Sequence, residues 1–274
     1  VVAPTTRAYV LDESPQKSVG LFASLWWAFA VVGSIVGPLV GTYLAALCSF
    51  DCPFYLSTAL ALVLALFVAL TFPKMRRTRS ARKISLRSTL HVRSAGLLFV
   101  SAIFAFMTHS LMRSFLPLYA SEQINMSTFQ IGVLLSATYA VQLAVMPMVG
   151  WLSDKFGRRR VVEIGFALSS VMFLLYFASK TQLQILLVSV MISAVLSAGS
   201  VLLALIPEVA SNTMYGSAVG VYGSFEDLGS LIGPLIFGFV WTTFNPSLIF
   251  AVGSLAQLVS ALLVLAIKTE RKDS

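Results

Sequence analysis

The sequence predicts an all-α, polytopic membrane protein, and three observations support this fold class. Of the 274 residues, 58% are hydrophobic and only 11% are charged, whereas soluble domains carry about 25% charged residues. The apolar residues form runs of about 18 residues or more, the length that a helix needs to cross a bilayer. Basic residues collect between alternate pairs of these runs. A soluble enzyme of this length could not bury so much apolar surface, but a bilayer can cover it.

Eight apolar runs qualify as transmembrane helices, because only helices and closed barrels satisfy their backbone in lipid, and runs of this length are helices. Their approximate bounds are Val19–Leu47, Pro53–Phe72, Ala95–Tyr119, Ser127–Val149, Val161–Ala178, Leu183–Ile206, Gly216–Thr242 and Pro246–Ile267. Ser127 and Gln130 have the spacing of a capping box, so we expect them to begin the fourth helix.

Basic residues predict the orientation. Of the 19 Lys and Arg residues, all but Lys180 and Arg113 fall on one side when the runs are threaded through the bilayer in turn. By the positive-inside rule this side is cytoplasmic, so we expect a cell-membrane protein whose visible termini are both cytoplasmic. Residues 73–94 contain basic residues and no acid. We interpret this basic linker as a solvated cytoplasmic connection between two bundles rather than a nucleic-acid patch.

An internal repeat becomes visible when the chain is compared with itself at a shift of 196 residues. The segment Gly-Ser-Ile-Val-Gly-Pro-Leu at residues 33–39 then overlies Gly-Ser-Leu-Ile-Gly-Pro-Leu at residues 229–235. Such a repeat indicates that a part of the chain is duplicated.

Residues 150–160, here called the signature segment, read Gly-Trp-Leu-Ser-Asp-Lys-Phe-Gly-Arg-Arg-Arg between two apolar runs. Each charge at the centre of a membrane helix costs about 2.5 to 3.5 kcal/mol, so we expect a short, water-facing loop here. Gly150 and Gly157 can adopt positive φ and permit a tight reversal. We expect Asp154 to cap the helix that follows and to pair with the neighbouring cations.

The order Gly-x-Leu-x-Asp-Lys-x-Gly-Arg-Arg resembles the signature loop of the major facilitator superfamily, which joins the second helix to the third and recurs between the eighth and ninth. The resemblance implies twelve helices, of which this chain holds helices 5 to 12. Residues 1–72 would hold the end of helix 4 with helices 5 and 6, residues 73–94 the linker, and residues 95–274 the C-terminal six-helix bundle. The resemblance also implies a gating role for Gly150, Asp154, Lys155, Gly157, Arg158 and Arg159.

The first run carries a second resemblance. Gly33-x-x-x-Gly37-Pro38-x-x-Gly41 is similar to the glycine–proline motif of antiporting, drug-exporting members of the family, except that Thr42 replaces a second glycine. The three glycines lie four residues apart on one face, where another helix can approach closely, and Pro38 can kink the helix. Helix packing and an exporter-specific role both remain open interpretations.

Four charged or titratable residues lie within the runs, and such residues are functional candidates by default. His109 and Arg113 lie one turn apart on the third run, and Glu226 and Asp227 lie near the middle of the seventh. A buried carboxylate or histidine can take and release a proton, whereas Arg113 can hold an anionic substrate or pair with an acid. The alternatives are a static ion pair for the two acids and hydrogen-bonded packing for His109.

These features together predict secondary active transport of a small solute by alternating access, in the form of proton-coupled efflux (antiport). The alternatives are proton-coupled uptake of a sugar, organic acid or other metabolite, and a non-transporting truncated relic. An intramembrane enzyme is not indicated, because the sequence contains no His-Glu-x-x-His and Glu226 and Asp227 are adjacent rather than on two facing helices. The absence of a Gly-rich phosphate loop also disfavours ATP-driven transport. The expected partners are the substrate, a coupling proton and the lipid bilayer. No nucleic acid, cofactor or metal ion is expected, and the full-length protein is expected to be a monomer.

Overall fold

The computed structural model describes residues 19–71, 93–209 and 215–267, which form helices joined by short turns. Eight helical segments follow one another: α1 (Val19–Leu47), α2 (Cys52–Thr71), α3 (Arg93–Ser110, Leu111–Phe115 and Leu116–Glu122), α4 (Thr128–Phe156), α5 (Arg158–Phe173 and Leu175–Ala178), α6 (Gln182–Leu196, Ser197–Val201, Leu203–Leu205 and Ile206–Val209), α7 (Tyr215–Thr243) and α8 (Leu248–Leu265). Each segment coincides with one predicted run. The residues before 19, the basic linker up to residue 92 and the chain after 267 lie outside the described residues.

The lengths and compositions of these helices fit a membrane. Six of them (α2, α3, α4, α5, α6 and α8) are long and apolar enough to cross a bilayer, and the described side chains of α1 give a shorter apolar helix, Val31–Leu47. The Ser127–Gln130 capping box is present, with Ser127 N donating to Gln130 Oε1 at 2.8 Å. The prediction of an all-α, polytopic membrane protein is confirmed.

Helices α3 to α8 pack into a bundle around two apolar clusters. Both α7 and α8 pack on α3, α8 also packs on α5, and α6 packs on α4 and α5. The cluster nearer the signature segment includes Phe99 and Phe166. The cluster at the opposite end includes Tyr119, Tyr176 and Phe250, with the Tyr176 and Phe250 rings stacked at a centroid distance of 4.1 Å.

Buried polar side chains link the helices of this bundle. The Ser101 hydroxyl of α3 lies 2.8 Å from that of Ser260 in α8. Two turns further along α3, Gln257 Nε2 of α8 donates to Thr108 Oγ1 at 2.7 Å. Within a bilayer no water is present to satisfy such groups, so hydrogen bonds between helices satisfy them instead.

Helix α1 lies outside this bundle, against α4, and α2 lies against α1. Ser136 Oγ of α4 donates to the Ile35 carbonyl of α1 at 2.7 Å. Thr42 Oγ1 donates to the Pro38 carbonyl at 2.6 Å and faces Gly132 of α4. Thr42, which replaces the second motif glycine, therefore contributes directly to the contact between α1 and α4.

Gly33, Gly37 and Gly41, here called the glycine stripe, lie on a face of α1 that points away from this contact with α4. A Cβ atom added at Gly33, Gly37 or Gly41 would meet nothing within 4 Å, so no described residue packs against the stripe. Its repeat mates in α7 behave differently. A Cβ at Gly229 would overlap the Ile103 carbonyl of α3, and one at Gly233 would overlap the Ser110 hydroxyl. In α7 these glycines therefore allow the backbone to approach α3 closely.

Candidate functional site

The signature segment consists of two helices that meet at Gly157, so the prediction of a loop is wrong. Helix α4 continues to Phe156 and α5 begins at Arg158. Gly157 has φ +95°, as expected for a tight joint, but Gly150 lies inside α4 and makes no reversal. The apolar run ends at Val149, where the charged and polar residues of the signature segment follow. The helix continues past it, because its backbone hydrogen bonds do not depend on apolar side chains.

Asp154 does not cap α5, which is a second correction. Gly157 occupies the cap position and no side chain bonds to the first turn of α5, because Asp154 lies within the last turn of α4. The expected pairing is present: Asp154 Oδ1 lies 3.5 Å from Arg158 Nη2. The Asp154 side chain is 71% exposed, so this pair contributes at most about 1 kcal/mol.

Arg158 connects three helices. Its Nη1 atom donates to the Ala204 carbonyl of α6 at 2.9 Å and lies 3.6 Å from Glu208 Oε1. Partial burial raises the pKa of the Glu208 carboxyl above its ordinary value, and the nearby Arg158 charge offsets only part of this increase. Arg158 therefore ties the start of α5 to the end of α4 and to the irregular part of α6.

The neighbouring cations have other contacts. Arg159 Nη2 donates to the Leu265 carbonyl at the end of α8, where the partial negative charge of the helix terminus favours a cation. Lys155 Nζ lies 5.1 Å from the Trp151 ring centroid and 5.5 Å from that of Phe156. Arg158 and Arg159 together hold the ends of α4, α5, α6 and α8 in one arrangement.

A second polar site lies between α3, α4 and α6, at a distance from the signature segment. It is a cavity of about 20 Å³, close to the volume that holds one water-sized group. His109 and Arg113, which were predicted as a pair, both line it. The other lining residues are Met112, Leu135, Thr138, Tyr139, Gln142, Ser193 and Leu196.

The backbone of two helices is irregular beside this cavity. In α3, residues Leu111–Phe115 form a π-helical turn with Arg113 at its centre. In α6, the 3₁₀ segment Ser197–Val201 begins directly after Leu196, which lines the cavity. Irregular turns within membrane helices occur where the backbone is buried in protein or lines a cavity, and π-turns are frequent at functional sites. The irregular backbone turns and the polar side chains therefore lie at the same position in the bundle.

The two acids of α7 are not part of this cavity. Glu226 is partly buried and Asp227 is exposed, and neither is among the lining residues. Helices α3 and α7 run parallel, with Gly229 opposite Ile103 and Gly233 opposite Met107. Glu226 therefore lies roughly 13 Å along the bundle axis from His109, on the side of the signature segment. The prediction named all four residues as one group, whereas the structure separates them into two levels.

The contribution of α4 to the cavity was not predicted. Thr138 and Tyr139 are adjacent, and Gln142 follows them about one turn later on the same face of α4. Their spacing was the available signal, but uncharged polar residues in a membrane helix also pack against neighbouring helices. Only the contact of α4 with α3 and α6 distinguishes the two roles.

Comparison with known proteins identifies relatives of the chain. The family description "Major Facilitator Superfamily" matches residues 1–96 and 98–274. The uncharacterized MFS-type transporter YuxJ of Bacillus subtilis is 30% identical over 164 residues, which cover 58% of this chain and 41% of YuxJ. The tetracycline resistance protein, class B, of Escherichia coli is 30% identical over 166 residues, which cover 60% of this chain and 39% of that protein.

A solved structure has the same fold. The crystal structure of FucP, a major facilitator superfamily transporter in the outward conformation, matches with a TM-score of 0.64 at 18% identity, over 97% of this chain and 72% of FucP. The aligned part of the chain spans about two-fifths of the length of the curated relatives named above (41% and 39%).

Proposed function

Because the chain belongs to the major facilitator superfamily, we propose that it is the C-terminal part of a secondary transporter that moves a small solute by alternating access. Helices α1 and α2 correspond in this proposal to helices 5 and 6 of a twelve-helix protein, within residues 1–72. Residues 73–94 form the cytoplasmic linker and residues 95–274 the C-terminal bundle. The complete protein is a monomer in the cell membrane, with the signature segment on the cytoplasmic side.

The cavity between α3, α4 and α6 is the observation that carries this proposal. It contains a cation, Arg113, in a helix that is long and apolar enough to cross a membrane. Its wall includes the π-helical turn of α3, and the 3₁₀ segment of α6 begins directly after the lining residue Leu196. Such irregular turns are suited to helices that change shape during transport. His109 and Arg113 are its substrate contacts in this proposal.

The direction we propose is efflux in exchange for protons. The named resistance protein of Escherichia coli supports an exporter, as does the glycine–proline motif of α1 with Gly33, Gly37, Pro38 and Gly41. The glycine stripe has no partner among the described residues, which leaves it available to a helix of the N-terminal bundle. The opposite direction, proton-coupled uptake, is the second candidate.

Glu226 and Asp227 are the proposed proton-responsive groups. They lie between the cavity and the signature segment, and α7 packs through Gly229 and Gly233 on α3, which carries Arg113. A change in the charge of either acid alters how α7 sits against α3 and thereby changes the cavity. Coupling would therefore act through helix packing rather than through direct contact between proton and substrate.

The signature segment is the proposed cytoplasmic gate. Arg158 and Arg159 attach the segment to the C-terminal bundle, whereas Asp154 and Lys155 are exposed and Gly150 is partly exposed, so a partner surface can contact them. In this proposal the exposed Asp154 carboxylate contacts the N-terminal bundle when the cytoplasmic side is closed, and Gly157 fixes the angle of the joint.

Reconstitution of the full-length protein into liposomes tests the proposal. With an acidic lumen, an antiporter accumulates a substrate such as tetracycline, and with an alkaline lumen a symporter does so. We expect accumulation only with the acidic lumen. Accumulation only with the alkaline lumen would indicate uptake, and a lack of gradient-dependent movement across a panel of drugs and organic acids would indicate a relic.

A further inference from the structure

The charge of the cavity points to its ligand. We infer that the cavity between α3, α4 and α6 binds the negatively charged group of a small organic anion, with Arg113 as the charge partner and the polar side chains of α4 and Ser193 as hydrogen-bonding neighbours. This inference rests on the proposed transport function and narrows it to one class of substrate.

The first argument is the absence of acids from the cavity wall. Its lining residues include Arg113 and His109, together with four uncharged polar side chains: Thr138, Tyr139, Gln142 and Ser193. Among the residues that the structure describes, no aspartate or glutamate lines it. Arg113, His109, Tyr139, Gln142 and Ser193 can each donate a hydrogen bond to an anion, whereas the Thr138 hydroxyl donates to the Leu135 carbonyl at 2.6 Å. A cationic drug placed here would meet a like charge and no counter-ion, at a site where like charges are poorly screened.

The second argument is the cost of the Arg113 charge. In the described part of the chain, Arg113 has no carboxylate within ion-pair distance. It lies nine residues before the end of α3 at Glu122, which places its backbone about 13 Å from that end. A cation within the hydrocarbon of a bilayer is unfavourable unless a counter-charge or water compensates it. A bound anion supplies that counter-charge.

The third argument is size. The cavity of about 20 Å³ has room for about one water-sized group, so a single small polar group of the ligand, such as a carboxylate oxygen, fits among these residues and the rest of the ligand lies outside it. Met112, Leu135 and Leu196 form the apolar part of its wall, so the part of the ligand next to the charged group is apolar. The guanidinium of Arg113 matches a carboxylate with two parallel hydrogen bonds. A monoanion with an aromatic or aliphatic body fits this description.

Three molecules of equal size and different charge provide the test: benzoate, benzamide and benzylammonium. A ligand that binds the folded protein raises its thermal unfolding temperature, so Tm is measured for the full-length protein in detergent with each compound. We expect benzoate to raise Tm and the other two to leave it unchanged. The Arg113→Gln variant should need at least about tenfold more benzoate for half of the effect, since hydrogen bonds to charged groups contribute about 1.5–3 kcal/mol.

Two further variants control this result. Lys180→Gln removes one positive charge from an exposed turn outside the cavity and should leave the benzoate response unchanged. Arg113→Lys keeps the charge but not the paired donors, so it should lie between wild type and Arg113→Gln. If Arg113→Gln does not fold, the ranking of the three compounds on the wild-type protein and the Arg113→Lys variant still decides the question.

Several outcomes would overturn the inference. They are a larger Tm increase with benzamide or benzylammonium than with benzoate, no response to any of the three compounds, or a benzoate response that Arg113→Gln leaves within twofold. The last result would place Arg113 in a static pair with an acid elsewhere in the complete protein. Transport of cations alone would contradict the anionic substrate class but not the transport function. Benzoate binding through Arg113 without any transport would contradict the transport function but not the anion site.

Discussion

The side chain of Thr42 in α1 lies against Gly132 in α4, and a Cβ atom added at Gly132 would overlap the Thr42 hydroxyl. The same hydroxyl donates to the Pro38 carbonyl one turn earlier. A residue that departs from the glycine–proline motif is therefore accommodated by a glycine on the neighbouring helix. In the proposed transporter this contact joins the N-terminal and C-terminal bundles.

Gly132→Ala should destabilise the contact between α1 and α4 by about 1–3 kcal/mol, the usual cost of adding a methyl group to a filled interface. Thermal unfolding in detergent measures the loss. Gly150→Ala is the matched control, because Gly150 is also helical in α4 and an added Cβ there meets nothing within 4 Å. The double variant Thr42→Gly, Gly132→Ala should recover most of the lost stability. Equal behaviour of Gly132→Ala and Gly150→Ala would contradict the observed fit.

Two substitutions in the signature segment, one of a cation and one of an acid, should have separate effects on stability and on transport. Arg158→Gln removes the donor to the Ala204 carbonyl and the partner of Glu208, so it should cost about 1–3 kcal/mol of stability. Asp154→Asn removes only an exposed pair and should cost less than about 1 kcal/mol, yet it should slow transport if Asp154 is part of the gate. Thermal unfolding and initial transport rates measure the two effects. Unchanged transport in Asp154→Asn would remove Asp154 from the gate.

Glu208 should make stability depend on pH with a definite sign. Its pKa is raised in the folded protein above the ordinary value of 4.5, so the folded state binds more protons than the unfolded state just above that value. Stability therefore falls as pH rises from the ordinary glutamate pKa through the raised one. Glu208→Gln cannot ionise, so its Tm relative to wild type should increase over this window, measured from about pH 4 to pH 8. A relative decrease would mean that the Arg158 pair outweighs burial.

Thr108 and Gln257 should show the cost of an unpaired buried amide. Gln257 Nε2 donates to Thr108 Oγ1 at 2.7 Å, and Gln257 Oε1 is buried without a partner in the described part of the chain. Thr108→Val removes the remaining partner and should cost about 1–3 kcal/mol, whereas the double variant Thr108→Val, Gln257→Leu should be close to wild type. Thermal unfolding of the single and double variants measures this difference. If the double variant loses as much stability as the two single variants together, the prediction that the cost comes from an unpaired amide is wrong.

The helices could be predicted because bilayer thickness imposes a length that apolar runs reveal directly. The capping box at Ser127 and the positive φ of Gly157 could also be predicted, since each depends only on neighbouring residues. The loop prediction at Gly150 was wrong because composition reports where the membrane ends and not where the helix ends. Asp154 was assigned to a cap for the same reason.

The cavity was only half predictable. His109 and Arg113 were recognisable as unusual residues of one helix face. Tyr139 and Gln142 were not, because long-range contacts between helices decide which face of α4 meets α3 and α6. The π-turn at Arg113 gave no local sequence signal either. The distance between Glu226 and His109 along the bundle axis depends on the contact of Gly229 in α7 with Ile103 in α3. The sequence pattern of one helix does not contain this information.

Proton coupling by the α7 acids is the central claim, and its most direct measurement compares gradient-driven accumulation with gradient-free exchange in the same liposomes. Glu226→Gln and Asp227→Asn are each measured against wild type and against Glu122→Gln, an exposed acid at the end of α3 outside the cavity. We predict that at least one of the two α7 variants loses accumulation and keeps exchange, while Glu122→Gln keeps both. If both α7 variants accumulate substrate as wild type does, the acids are structural and the proposed coupling is wrong.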